Sequence, residues 1–334
     1  MKSGHPNAEY ILPLRWESDE GVEAMGRYLQ WLAERIDVTV VDGSPPERFA
    51  VHDTAWPWVR HVAPDTAGLN GKACGVVTGI RSARHDIVVI ADDDVRYDDE
   101  SLAAVLGRLG DADFVRPQNV FRPLPWHARW DTGRSLVNRA LGGDFPGTVA
   151  VRRRFARGGY DTDVLFENLE LERTVRSRGG IVAVARDVYV ERRPPSIERF
   201  AEQRVRQAYD DFAQPARLVA ELALLPLAGA ALLTGHRGAL LVGAAGAVGL
   251  AELGRRRGGG RTRFPRTAAL WAPLWVCERA GAVWIAACWR VMGGVPYRGR
   301  RLRRAASSRM TLRRRARAER LDEAEGGQRS YSVE

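Results

Sequence analysis

Asp92, Asp93 and Asp94 close an unbroken apolar run, Ile87-Val88-Val89-Ile90-Ala91. Side chains alternate along an extended chain, so Asp92 and Asp94 point one way and Asp93 the other. Two hard oxygen ligands on one side suit Mg²⁺ or Mn²⁺, ions that take one or two protein carboxylates and complete their shells with water and substrate phosphates. The same triplet fits a solvated acidic turn that caps the next helix. Its setting favours a site. A run rich in Ile and Val reads as a strand buried on both faces, as in a sheet covered by helices, and ligands collect beyond the carboxyl ends of such strands.

The elements that would hold this strand alternate through the first two hundred residues. Tyr10 to Leu14 reads as a strand, and Val22, Met25, Leu29 and Leu32 follow helical spacing behind Ser18 or Asp19. Val38 to Val41 and Trp58 to Val62 are further strands, and Asn70-Gly71-Lys72 opens a helix through about Arg84. Past the acidic strand come a helix from about Asp98 to Leu109 and a strand, Phe114 to Arg116. An α/β, Rossmann-like architecture with a mostly parallel sheet and helices on both faces is the economical solution. Asp42, at the end of the second strand, stands where such a fold grips a nucleoside.

The chain has 334 residues and a net charge of +10, and its lysines are confined to Lys2 and Lys72. Eleven arginines fall between Arg298 and Arg320. Such a segment wants a polyanion, either anionic lipid headgroups or nucleic acid. Cys74, Cys277 and Cys288 are widely spaced without a CxxC, so neither a disulfide framework nor a zinc site is expected, and no His or Cys cluster suggests another metal. Trp126, His127, Trp130, Asp131 and Arg134 mix aromatic and charged groups as a carbohydrate or lipid-headgroup acceptor site would, although Trp130 also fits a helix core.

After Phe212 the composition turns to Ala, Leu, Val and Gly. Leu218 to Thr234 is just long enough to cross a bilayer, and Ala239 to Ala251 forms a shorter second arm across His236-Arg237. Arg255-Arg256-Arg257 then marks the cytoplasmic side. Ala268 to Met292 carries Trp271, Trp275, Trp284 and Trp289 but has Glu278-Arg279 at its centre, and is expected as interfacial helices. The expected divisions are a catalytic region at 1–212, a membrane hairpin at 213–254, a basic and interfacial stretch at 255–308 and a disordered tail at 309–334. With the apolar segments beside it, the arginine tail faces membrane lipids, and no nucleic acid is expected.

The order VVDGS, NGKACGVVTGIRSA and IVVIADDDV resembles the nucleotide-sugar half of the inverting family 2 glycosyltransferases, which have the GT-A fold. GTVAVRRRFARGGY (147–160) is similar to their acceptor-side strand, FENLELERTVRSR (166–178) to their acidic helix, and Gln203-Arg204-Val205-Arg206 to their QxxRW box. The resemblance spans about residues 9–212. It implies a divalent metal on Asp94 and Asp92, a nucleoside held at Asp42, and donor phosphates at Lys72, Gln203 and Arg206. The donor would be a nucleotide-diphosphate sugar, a UDP-sugar first among them, and the acceptor a lipid or saccharide hydroxyl. Where the family has Glu-Asp, this chain has Glu167-Asn168, so the general base falls to Glu167, with Glu170 and Asp163 as alternates. Gln207 replaces the aromatic of QxxRW, which argues against processive synthesis. A nucleotidyltransferase on a similar fold, or a non-catalytic membrane protein binding lipid or nucleic acid through its arginines, are the rival readings.

Overall fold

A computed structural model describes residues 7–297 and 299–331. As far as Ala91 the chain winds β1 (Ala8–Leu14), α1 (Val22–Ala33), β2 (Asp37–Asp42), α2 (Pro46–Ala55), β3 (Arg60–Val62), α3 (Gly71–Ser82) and β4 (Ile87–Ala91). All four strands run parallel, with β1 between β2 and β4. The apolar spacing predicted for α1 is realised, since Met25, Leu29 and Leu32 are buried. Asn70 caps α3, its side chain accepting hydrogen bonds from the Lys72 and Ala73 amides.

The chain continues through β5 (Val95–Arg96), α4 (Asp99–Gly107), β6 (Phe114–Phe121), α5 (Trp126–Leu141), β7 (Thr148–Arg152), α6 (Glu167–Ser177), β8 (Val182–Arg192) and α7 (Ile197–Asp210). The eight strands form one mixed sheet in the order β3-β2-β1-β4-β7-β6-β8-β5. β7 runs antiparallel to both β4 and β6, while β6 and β8 are parallel. Alternation along the central strands sends Tyr10, Leu12, Val89 and Ala91 into one core, and Ile11, Val88 and Ile90 into the other. Burial on both faces explains why the sequence of β4 is continuously apolar. This is the GT-A arrangement, and it sets the carboxyl end of β4 in the middle of the sheet.

The remainder is helical: α8 (Pro215–Leu233), α9 (Arg237–Arg256), the short α10 (Gly260–Arg263) and α11 (Ala272–Val291), then a hairpin of β9 (Val295–Tyr297) and β10 (Arg300–Leu302), and α12 (Arg309–Tyr331). Two of these helices are long and apolar enough to cross a membrane. The second arm runs further than the apolar run of its sequence, because α9 continues through Glu252 into its terminal arginines. Its far end is bare, with Leu241 and Val242 exposed, whereas its near end docks on α5. There Gly254 approaches so closely that a Cβ would lie 1.8 Å from the Leu136 carbonyl oxygen.

Two C-terminal expectations come out differently. Glu278 and Arg279 do not face headgroups: Arg279 is buried and pairs with Asp211 at 3.0 Å, while Glu278 lies 3.6 Å from Arg204. These charges pin α11 to the end of the α/β region, so their place mid-helix is explained by an inward ion pair. Residues 309–331, expected as a disordered tail, form α12, which seats Leu312 and Ala316 inward and meets α6.

Candidate active site

Beyond β4, the alternation predicted for the three aspartates is realised. Asp93 turns aside and accepts a 2.6 Å hydrogen bond from Trp16 Nε1. Asp92 and Asp94 turn the other way and share Arg192, whose Nε lies 2.9 Å from Asp94 and whose Nη2 lies 3.5 Å from Asp92. Lys72, one residue into α3, bridges Asp92 at 2.5 Å and Glu167 at 2.6 Å. Thus residues from α3, the end of β4, the start of α6 and the end of β8 meet at one point. Space is tight at Gly147, where a Cβ would sit 2.9 Å from Asp92 Oδ2 and 3.2 Å from Arg192 Cζ.

The electrostatics are unbalanced. Three carboxylates, Asp92, Asp94 and Glu167, face two cations, Lys72 and Arg192, with Asp93 close by. Burial raises the Asp94 carboxyl above its ordinary range, Arg192 opposes this, and Asp92 and Asp93 reinforce it. Lys72 shows the complementary effect: burial disfavours its charge, yet Asp92 and Glu167 hold its ammonium well above the usual value. A hard divalent cation suits this donor set, because Asp92 and Asp94 offer oxygens on one side of the chain and the excess negative charge calls for another positive one.

The other predicted site residues divide. Asp163 accepts a hydrogen bond from the Leu69 amide and Glu170 one from the Ser307 amide, and Glu170 is fully buried, away from any acceptor in solvent. Asn168 donates to the Pro146 carbonyl. Gln203 lines a small cavity with Arg192 and Asp131, whereas Arg206 lies over the Tyr297 ring at 5.6 Å. The buried arginine of the QxxR segment is Arg204, paired with Asp131 at 3.0 Å.

The acceptor cluster separates into two parts. Trp126 and Trp130 pack with Phe200, and Trp126 is 48 % exposed. Asp131 and Arg134 instead close on each other at 2.8 Å, and Arg134 reaches Asp144 at 2.7 Å. Both face inward on α5, so neither is open to an acceptor; helical spacing showed their proximity but not which side of the helix is covered.

Asp42 also differs from expectation. It is buried, its Oδ1 accepting from the Ser44 amide while Oδ2 faces His52 Nδ1 at 2.6 Å and His61 Nε2 at 3.1 Å. Against the cost of burial, these hydrogen bonds lower its pKa to about 2. Both oxygens of this carboxylate are thus engaged within the fold. It also corrects the expectation of no histidine cluster, since ligand atoms of Asp42, His52 and His61 lie within 4.8 Å of one another. His52 and His61 come from α2 and β3, ten and nineteen residues from Asp42, with no motif to announce them.

Arg192 and Trp16 are the site residues that sequence reasoning missed. Arg192 ends an alternating strand and carried no local signal, because its partners lie about a hundred residues earlier.

Residues 55–115 match the family model described as glycosyl transferase family 21. No curated protein matches the sequence. Among solved structures, the chain is similar to a mannosyltransferase from Pyrobaculum calidifontis in complex with GDP-Man and Mn²⁺, at 21 % identity and a TM-score of 0.54, covering 85 % of this chain and 88 % of that one. It is also similar to glucosyl-3-phosphoglycerate synthase from Mycobacterium tuberculosis in complex with Mn²⁺, UDP and glucosyl-3-phosphoglycerate, at 15 % identity and a TM-score of 0.43, covering 61 % and 78 %. The family match covers the stretch that carries Lys72, Asp92 and Asp94, and the sheet around it has the GT-A order: the chain is a glycosyltransferase with the GT-A fold, similar to family 2.

Proposed function

We propose that the protein is a membrane-attached, inverting glycosyltransferase that moves a sugar from a nucleotide-diphosphate sugar to a hydroxyl on a lipid or lipid-linked acceptor. The observation that carries this reading is the convergence of Asp92, Asp94 and Glu167 on Lys72 and Arg192. Asp92 and Asp94 would hold a divalent metal. When bound, that ion supplies Lewis-acid neutralisation of the departing diphosphate.

Lys72 and Arg192 do the rest of the phosphate work. Both are cations fixed by carboxylates at the mouth of the sheet, and Arg192 offers a planar fork suited to phosphate oxygens. Glu167 starts α6 and keeps one oxygen beyond the one on Lys72, which can take the acceptor's proton. Attack on the anomeric carbon from the face opposite the diphosphate then inverts it. Trp126, on the exposed side of α5, is available to stack on an acceptor.

Membrane attachment is supported by α8 and α9, whose Val219, Leu227, Leu233, Leu241 and Val242 are left exposed. Arg255, Arg256 and Arg257 at the base of α9 fit the cytoplasmic side, the side that holds nucleotide sugars in this reading. The test is calorimetric titration of the detergent-solubilised protein with nucleotide diphosphates and sugar nucleotides, with and without Mn²⁺. Binding that needs both Mn²⁺ and Asp94 is expected, and Asp94→Asn should abolish it. Glu167→Gln should keep that binding and stop turnover; unchanged turnover removes Glu167 as the base. Nucleotide binding indifferent to Mn²⁺ and to Asp94 would overturn the metal site.

A further inference from the structure

A cavity of about 990 Å³ opens between the α/β region and the apolar helices. That volume is at the upper end for ligand pockets, roughly 300–1,000 Å³. Leu224 of α8, Leu250 of α9, and Trp275 and Val276 of α11 give it apolar lining, while Arg173 of α6 and Arg309 at the start of α12 bring positive charge to it. The apolar lining continues into the two candidate spanning helices. The lining as a whole carries four arginines against two glutamates, Glu172 and Glu221.

The two arginines differ from the others around them. Arg116 is paired with Glu172 at 2.9 Å, and Arg217 with Asp211 at 3.0 Å and Glu221 at 2.9 Å. Among the described residues, neither Arg173 nor Arg309 forms an ion pair. Arg173 donates only to the Ser307 and Ala213 carbonyls, and its Nε is buried without a hydrogen-bond partner. Burial and the charge of Arg309 push the Arg173 pKa down, against the opposing pull of Glu170 and Glu172. A buried, unsatisfied donor on a cation costs free energy that an anionic ligand would recover.

The geometry points to this cavity as a binding site for a membrane lipid with a phosphate headgroup, the phosphate resting on Arg173 and Arg309 and the chain lying against α8, α9 and α11. The inference rests on the membrane-attached reading above. None of Lys72, Asp92, Asp94, Glu167 and Arg192 lines this cavity, yet it adjoins the donor site: Phe145, which lines it, stacks edge-on against Phe166, the residue before Glu167, with ring centres 4.7 Å apart. A lipid seated there would press on the loop and helix that carry the candidate base.

The test uses native mass spectrometry of the full chain released from detergent, with dioleoyl phosphatidic acid as the probe. Dioleoylglycerol has the same chains without the phosphate, and inorganic phosphate has the anion without the chains. Phosphatidic acid should be retained, dioleoylglycerol should not, and millimolar inorganic phosphate should fail to displace the lipid. Arg309→Gln should weaken retention at least tenfold, and Leu224→Trp, which fills the hydrocarbon end, should do the same; Arg309 makes no structural ion pair, so its variant should fold. Equal retention of dioleoylglycerol, displacement by inorganic phosphate, or unchanged retention in both variants would overturn the inference. The outcomes separate from those of the proposed function. Lost lipid binding with intact Mn²⁺-dependent nucleotide binding rejects the cavity alone, whereas failure of the wild type to float with phosphatidylcholine vesicles rejects membrane attachment.

Discussion

Asp92, Asp94 and Glu167 with Lys72 and Arg192, and Asp131 and Asp144 with Arg134 and Arg204, are two clusters of nearly the same side chains in one molecule. They behave in opposite ways. In the second, both aspartates are saturated with hydrogen bonds, and Glu278 adds a longer contact to Arg204 at 3.6 Å: Asp144 takes hydrogen bonds from Arg134, Ser135 and Asn138, and Asp131 from Arg134 and Arg204. Against the cost of burial, Arg134 and Arg204 hold Asp131 well below the usual carboxylate range. In the first, carboxylates outnumber cations and Asp94 moves up instead of down. The exposures agree, at 18 % and 24 % for the Asp92 and Asp94 side chains against 8 % and 5 % for Asp131 and Asp144. A sealed, hydrogen-bond-saturated cluster ties α5 to α7, while an open cluster short of positive charge is built to receive it.

The comparison is broken most sharply by removing carboxylates from each side. Asp92→Ala with Asp94→Ala should lower kcat/KM by roughly 10²–10³-fold, the scale of losing one preorganised electrostatic contact, with chelation of the metal giving the same loss in the wild type. Asp131→Ala should act on stability instead, by about 3–5 kcal/mol, since it leaves Arg134 and Arg204 buried and underpaired. Denaturant unfolding alongside turnover per folded molecule checks the contrast; a turnover loss in Asp131→Ala matching that of the double variant would erase it.

A smaller effect sharpens the geometry of the open cluster. Gly147→Ala adds a methyl that collides with Asp92 Oδ2, and should cost roughly 10- to 100-fold in turnover with little change in fold, as an ångström-scale displacement does. Normal turnover in Gly147→Ala would mean that the position of Asp92 is not critical.

The smallest effect concerns the cluster around Asp42. Its pKa of about 2 lies below the ordinary 3.8, so its contribution of about 2 kcal/mol is complete above the ordinary value and disappears as pH falls from about 4 to 2. His61 behaves in reverse: burial opposes its charge, but Asp42 and Asp53 raise its pKa, so its contribution is complete below its ordinary 6.5 and is lost as pH rises through the raised value. Asp42→Asn should flatten both limbs of the stability profile in thermal unfolding. An unaltered acid limb would show that the hydrogen bonds to Asp42 stabilise nothing.

The sequence by itself determined the elements and one decisive orientation. Apolar runs and their periods placed β1, α1, β2, α3, β4 and α4, because period two and period 3.6 are local properties of the chain. The same alternation put Asp92 and Asp94 on one side and Asp93 on the other before any contact was known. Lys72 and Glu167 were legible as charged residues at helix starts, although nothing local joined them. Tertiary structure decided the rest. Only the sheet order brings β8 far enough round for Arg192 to meet Asp94, turns Asp131 and Arg134 inward, and encloses Asp42 between two histidines. It also folds the arginine-rich tail as a helix against α6. Those outcomes depend on which face of each element is covered, and that depends on partners distant in sequence.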